Sequence, residues 1–420
     1  VDHFELKNGE LYCEDVRLAE IAESVGTPVY VYSRATLERH ADTFRAGVAA
    51  AGDVHVAYAV KANPNLAVIH VLAGRGCGAD VVSEGEMVRA LAGGVPPEEI
   101  VFSGVGKSAR EMVAALDAGI GQFNIESEVE GEELSAVAAA RGKRAVAVLR
   151  INPDVDARTH AKISTGKSEN KFGVPISDAQ AIYGRLAALS GLAMRGIALH
   201  IGSQLLTLDP LEEAFVKVGE LVAALRADGH VITHVDLGGG LGVRYKEGDD
   251  PRWPDEYGAM VARVTADWGV TLMFEPGRVI AANAGVLVTR VIRVKPGVEA
   301  PFVIVDAAMN DLARPALYDA WHDFEAVHPT GKRFVANIVG PVCETGDTFA
   351  MHRDIDAVAA GDLAIFRSAG AYGATMASFY NSRDMVPEVM VSGSEWAVVA
   401  DRIPAAATVA AERVPDFLKG

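Results

Sequence analysis

The chain has 420 residues, half of them hydrophobic and 23% charged, with a formal net charge of −17 at neutral pH. That length exceeds what one small core organises and suits two domains, or one large barrel with an appendage. The acidic balance argues against a nucleic-acid backbone or an anionic membrane as the main partner, while leaving room for a local pocket that holds a small anion.

The opening stretch VDHFELKNGELY has neither a basic n-region nor an apolar h-region, so no secretory signal is expected. No apolar run reaches the roughly 18–20 residues that a membrane-spanning helix needs. Cys13, Cys77 and Cys343 are too scattered for a disulfide framework or a zinc ribbon, and the cytoplasm is the expected compartment.

Residues 1–30 form an N-terminal segment that precedes the regular pattern and is expected to pack with the β domain. Strands then follow at HVAYAV (55–60), ADVVS (79–83), IVFS (100–103), QFNI (122–125), AVAVLRI (145–151), GIALHI (196–201), HVDLGG (234–239) and TLMFE (271–275). Between them, segments such as EGEMVRALAGG and SAREMVAALDAG carry apolar residues at three- and four-residue spacing and end in glycine, as helices do. Strands buried on both faces and alternating with helices call for a parallel sheet, and eight such units make a closed (β/α)8 barrel, here residues 31–278. A six- or seven-stranded open sheet is the alternative.

Two stretches break this rhythm. DARTHAKISTGKSENKFG (156–173) is long and polar, which predicts a mobile loop at the barrel mouth. KEGDDPRWPDEYG (246–258) reads as a polar connector. After Gly277 the texture changes: AGVLVTRVIRVK, FVIVDAAM, FVANIVGPVCE, DAVAAGDLAIFR and WAVVADRI are strand-like with little helix between them. They predict an antiparallel β domain over residues 279–420.

Chemistry in such a barrel gathers where strands end, because the βα loops converge there. Lys61 ends the first strand in AYAVKANPN. A lysine held in an apolar mouth loses hydration, and a neutral amine can condense with an aldehyde; a surface lysine is the bland alternative. His200 and Ser203, in HIGSQ, end the sixth strand and offer a flat ring and a hydroxyl, although a lone histidine is more often a satisfied core residue. DLGGGLG follows the seventh strand, and its three successive glycines allow backbone N–H groups to cradle a phosphate. It is not a dinucleotide fingerprint, since Val243 stands at the final glycine position. EPGR ends the eighth strand, where Glu275 could hold a ring nitrogen protonated and Arg278 could clamp a carboxylate; the alternative is a Glu–Arg ion pair.

Other signals fail. SGVGKS (103–108) lacks the first Walker glycine, with Val101 in its place. His230 and His234 have the spacing of a metal pair but sit in a stretch that reads as extended, so no metal site is expected. An aldehyde-accepting lysine, a phosphate cradle, a carboxylate for a ring nitrogen and a stacking histidine together describe a site for pyridoxal 5′-phosphate.

At this point the chain resembles the diaminopimelate decarboxylases, a family of barrel-type pyridoxal-phosphate decarboxylases with the alanine-racemase fold. The likeness runs through YAVKAN, ADVVSEGE, RINPD, NKFG, HIGSQ, GGGLG, EPGR, ARPALYDAWH, CETGD and AGAYG, in that order. It implies a (β/α)8 barrel with a β domain, and a head-to-tail homodimer whose active sites lie between subunits. It implies Lys61 as the Schiff-base lysine, His200 stacked on the cofactor ring, and Glu275 on the ring nitrogen. Ser203, Gly239, Gly240, Gly277 and the Arg278 main chain are implied for the phosphate. The Arg278 side chain, Arg314, Tyr318 and Glu344 are implied for the substrate, Tyr372 for cofactor or substrate, and Cys343 as proton donor. From the residues alone, Cys343 would read as packing. Related members often carry serine where Thr345 stands.

The expected reaction is decarboxylation of meso-2,6-diaminoheptanedioate to L-lysine. A decarboxylase of ornithine or another basic amino acid is the alternative, although paired arginines suit a substrate with a distal carboxylate. A racemase of this fold should offer a tyrosine where Cys343 stands. A non-catalytic carrier of the cofactor has no use for ARPALY and CETGD.

Overall fold

The computed structural model describes residues 2–157, 165 and 170–419. Most of the polar stretch 156–173 therefore lies outside the described residues. The chain divides into two compact units, residues 37–281 and residues 1–36 with 282–420.

In the first unit all eight expected strands are present: Val54–Ala59, Gly78–Val81, Ile100–Phe102, Gln122–Ile125, Ala145–Asn152, Leu192–Leu199, His234–Asp236 and Thr271–Phe274. Each pairs in parallel with the next. The last also pairs with the first, Leu272 opposite Val54 and Phe274 opposite Val56, which closes the barrel and rules out an open sheet. Short strands buried on both faces need apolar runs, and the sequence supplies them.

Four helices of this unit begin with hydroxyl or amide caps. Asn65, Ser83, Ser108 and Ser127 each accept a hydrogen bond from a backbone N–H in the first turn of the next helix. Ser108 and Glu111 cap reciprocally, satisfying two N–H groups at once. The helix Ala109–Ala118 stops at Gly119, whose φ of +77° a residue with a side chain rarely adopts.

The polar connector 246–258 is only half a connector. Pro254 opens a helix to Val264, and the Glu256 carboxylate accepts from the Trp253 N–H. Proline at a first helical turn loses no hydrogen bond, so the PRWPDEYG signal is a helix start.

The second unit is built on a seven-stranded path, in the order Thr348–Asp356, Arg333–Val339, Phe302–Val305, Gly285–Lys295, Val29–Ser33, Glu388–Ser392 and Glu395–Ala400. It is mixed and not antiparallel as expected. Phe302–Val305 runs parallel to Arg333–Val339, and Val29–Ser33 runs parallel to Glu388–Ser392. The reason is connectivity: Val29–Ser33 comes from the N-terminal segment and inserts between two strands of the C-terminal sequence. Its five residues are all buried. Phe4, Leu11, Leu18, Ile21, Val29 and Val31 share one core with Val286, Val288, Ile365, Val389 and Val391.

Candidate active site

Lys61 sits in a turn of 3-10 helix, Val60–Ala62, directly after the first barrel strand. Its side chain is 37% exposed, and its ammonium makes a 2.9 Å ion pair with Asp80 at the end of the second strand. The lysine is thus steered by a charge, where an apolar mouth was expected. Asp80 itself is fully buried, and its Oδ1 has no hydrogen-bond partner among the described residues. A buried acceptor left open beside an amine is a place for a donor from outside.

His200 follows the sixth strand. Its Nδ1 accepts the Gly239 N–H at 3.1 Å, so that nitrogen carries no proton. Burial, then the nearby cations Arg150 and Lys61, holds the imidazole well below its ordinary value. The ring is therefore neutral and tied to the glycine turn.

That turn is tight on every side. A Cβ on Gly238 would come within 2.4 Å of the Leu199 carbonyl oxygen, one on Gly239 within 2.3 Å of the Glu275 carbonyl oxygen, and one on Gly240 within 2.5 Å of the Gly202 carbonyl oxygen. Gly240 also has a φ of +113°. A Cβ on Gly277 would press at 3.0 Å on both Ala59 and Ala62, the neighbours of Lys61. These four glycines are where the backbone must come close to something, and they line one recess with Pro276 and Val279.

Glu275 is buried and does not pair with Arg278 as an ion pair would. Asn124 Nδ2 donates to it at 3.3 Å and the Ser103 hydroxyl at 3.4 Å. Asp236 lies close by, so two carboxylates compete for charge in one buried site. Burial, reinforced by their mutual repulsion, pushes the Glu275 carboxyl well up. Burial pushes Asp236 up as well, against hydrogen bonds from the Gly238 N–H at 2.8 Å and Asn124 at 3.0 Å. Both carboxyls therefore hold a proton more tightly than a free carboxylate does.

Arg278 is buried under the same rim. Its Nε and Nη2 donate to the Ser203 hydroxyl at 3.1 and 3.0 Å, and its Nη1 donates to the Tyr245 hydroxyl at 2.7 Å. Nearby, Arg150 pairs with Glu126 at 2.7 Å and lies 4.9 Å from the Phe172 ring centroid, while the Gly173 N–H donates to Glu126. RINPD and NKFG thus meet through one carboxylate.

Lys61, His200, Gly239, Glu275 and Gly277 are brought together. Asp80, Asn124, Asp236 and Tyr245 were not expected there. Three of these share a sequence signal: a polar side chain inside or ending an apolar strand, as in GADVVS, QFNI and HVDL. Tyr245 carries none. The Walker-like Lys107 is fully engaged, donating to the Gly104 and Asn124 carbonyls at 2.7 Å and to Glu130 at 2.6 Å. His230 meets the Tyr183 ring edge-on, and His234 contacts Arg195, so each has a packing role. No cluster of three potential metal ligands occurs among the described residues.

In the second unit, Arg314 opens the short helix Arg314–Tyr318 and is buried. Cys343 is exposed on the loop 340–347, and its N–H donates to Asn381. Glu344, beside it, accepts from the Tyr380 hydroxyl at 2.6 Å. The loop is held from within by Asp347, which accepts the Met309 N–H at 2.7 Å and the Val342 N–H at 2.6 Å. Tyr372 has a φ of +57°, as do few bulky residues, and such strain concentrates at functional positions.

The residues of the barrel unit fit a phosphorylated pyridine aldehyde. The glycine recess admits only backbone, Lys61 supplies an amine, and the buried Glu275 carboxyl suits a ring nitrogen. The comparisons agree. A family profile described as "Pyridoxal-dependent decarboxylase, pyridoxal binding domain" matches residues 34–282. The diaminopimelate decarboxylase of Zymomonas mobilis is 56% identical over 403 residues, covering 95% of this chain and 96% of its own. The crystal structure of diaminopimelate decarboxylase from M. jannaschii in complex with L-lysine superposes with a TM-score of 0.95 at 34% identity, covering 99% of both chains. The Helicobacter pylori enzyme, also with L-lysine, gives 0.89 at 37% identity, covering 93% of this chain and 97% of that one. No described helix is long and apolar enough to cross a membrane.

Proposed function

The chain belongs to the diaminopimelate decarboxylases, within the pyridoxal-dependent decarboxylases, and from that premise we propose how its residues divide the work. The reaction is loss of CO2 from meso-2,6-diaminoheptanedioate to give L-lysine, with pyridoxal 5′-phosphate as cofactor. When bound, the cofactor supplies an electron sink for the pair left behind by CO2.

Lys61 is the amine that would hold the cofactor aldehyde, and Asp80 steers it. Gly239, Gly240, Gly277, the Ser203 hydroxyl and the Arg278 main chain would hold the phosphate. His200, neutral and fixed by Gly239, offers a flat face to the ring. Glu275 would hold the ring nitrogen and favour its cationic form. Arg278 and Arg314 read the distal carboxylate of the substrate, Glu344 its ammonium, and Tyr318 and Tyr372 line its path. Cys343 returns a proton to the carbon that lost CO2.

The observation that carries this reading is the convergence of Lys61, His200 and Glu275 on a glycine turn whose Cβ positions are all blocked. Incubation with pyridoxal phosphate and either meso-diaminoheptanedioate or ornithine tests it. L-lysine from the first and no putrescine from the second is expected; putrescine production would overturn the substrate assignment.

Cys343 and Glu344, on a loop of the second unit with Cys343 exposed, are proposed to serve the barrel of a second copy in a head-to-tail homodimer. Mixing inactive Lys61→Ala and Cys343→Ala proteins should then restore about a quarter of wild-type activity through hybrid dimers. No restoration after verified exchange would refute the shared site. All three cysteines are free thiols, which suits the proposed cytoplasmic location.

A further inference from the structure

Arg314 is held by a histidine whose chemistry the geometry fixes. Arg314 Nη1 lies 2.9 Å from His322 Nε2, and His322 Nδ1 lies 2.8 Å from the Arg367 carbonyl oxygen. Both side chains are buried. A guanidinium only donates and a carbonyl only accepts. The two contacts are therefore hydrogen bonds together in one form of the ring: neutral, with the proton on Nδ1 and the lone pair on Nε2 facing Arg314.

The histidine is anchored at its backbone as well. Its carbonyl accepts from Arg353 Nη1 at 2.5 Å, and the Arg353 guanidinium lies 3.5 Å from the Trp321 ring centroid. At the other end, Pro315 stiffens the first turn of the helix that Arg314 opens. Arg314 is thus gripped from its backbone and from its guanidinium.

We infer that His322 is a positioning residue that aims Arg314 at the non-reacting carboxylate of the substrate. The inference rests on the proposed role of Arg314. A neutral imidazole suits this task because it orients the guanidinium without cancelling its charge, as a carboxylate partner would.

Two substitutions of similar size and polarity separate positioning from mere packing. In His322→Gln the amide reaches the place of Nε2 and can accept from Arg314. In His322→Asn it reaches only the place of Nδ1 and keeps the link to the Arg367 carbonyl. With the holoenzyme, His322→Asn should raise KM for meso-diaminoheptanedioate and the Kd for L-lysine by about tenfold, the loss of a charge-assisted hydrogen bond, with kcat within about twofold. His322→Gln should return both constants to within about threefold of wild type. Asn and Gln variants that behave alike, or a change confined to kcat, would overturn the inference.

Arg314→Lys is assayed in parallel. If it leaves KM unmoved, the role of Arg314 itself is wrong; if it raises KM while His322→Asn does not, only the positioning role fails. Should the asparagine variant not fold, 15N NMR of histidine-labelled wild-type protein still decides, with the His322 signals identified by their loss in His322→Gln. Protonated Nδ1 with bare Nε2 is expected, and a proton on Nε2 would refute the arrangement.

Discussion

Lys61 and Asp80 meet across neighbouring strand ends, and each is the reason the other can be where it is. Replacing Lys61 by alanine should abolish covalent attachment of the cofactor, measured by mass spectrometry after borohydride reduction; a retained adduct would place the attachment elsewhere. It also leaves the Asp80 carboxylate buried without its cation, so the variant should be less stable by about 3 kcal/mol, measured by urea unfolding.

Asp236 allows a test by pH. Burial raises its titration in the fold above its unfolded value, so the folded state binds more protons than the unfolded one in that window. Its contribution to stability is complete below the ordinary carboxylate range of about 4 and is lost as pH rises through the elevated titration. In the cofactor-free protein, Asp236→Asn should flatten the fall in stability across that window, measured by urea unfolding at a series of pH values. An unchanged slope would mean the pair holds no extra proton.

Individual residues were unevenly legible. Lys61, His200 and Glu275 stand at ends of apolar runs, where a charged or ring side chain is conspicuous. Tyr245 lies in a polar stretch, where a tyrosine carries no signal until the fold brings it to Arg278. The apolar mouth expected around Lys61 was wrong for a related reason: sequence spacing does not reveal which charge from the next strand will face it, and Asp80 does.

Among elements, the eight barrel strands were readable because burial on both faces leaves little choice of residue. Thr348–Asp356 was not, since Arg353, Asp354 and Asp356 interrupt its apolar pattern and it sits at the end of the seven-strand path among the described residues. Val29–Ser33 was missed because its partners lie far along the chain.

The helix Glu128–Ala140 is fastened to the barrel by Lys107, whose ammonium is buried against Glu130. Lys107→Met should cost about 3–5 kcal/mol in unfolding free energy, because it strands a carboxylate. Adding Glu130→Gln should recover much of the loss, and strict additivity would argue against the pairing. In the second unit, Asp347 gathers the loop that carries Cys343. Asp347→Ala should lower kcat on the order of tenfold to a hundredfold by misplacing the thiol, with cofactor content unchanged. An unaffected kcat would free Cys343 from dependence on that loop.

At the scale of the molecule, the barrel is one continuous stretch of sequence, whereas the second unit is assembled from both ends of the chain. Removing residues 2–33 takes a buried strand from the middle of the mixed sheet, not a dispensable arm. The truncated protein should express insolubly, with supply of the missing piece as a separate peptide the check on whether the loss is one of pairing. Soluble, active protein without those residues would show that the sheet can close across the gap.

The central position of Val29–Ser33 also has a consequence in time. Its partner Gly285–Lys295 leaves the ribosome some 250 residues later, and Glu388–Ser392 later still. At about 5–20 residues per second that is a wait of roughly 13–50 s for VYVYS, a tyrosine- and valine-rich segment with nothing yet to pair with. Early packing of Val29 and Val31 against the hairpins of residues 4–17, with which they share a core, would shield that segment from its neighbours on the same polysome.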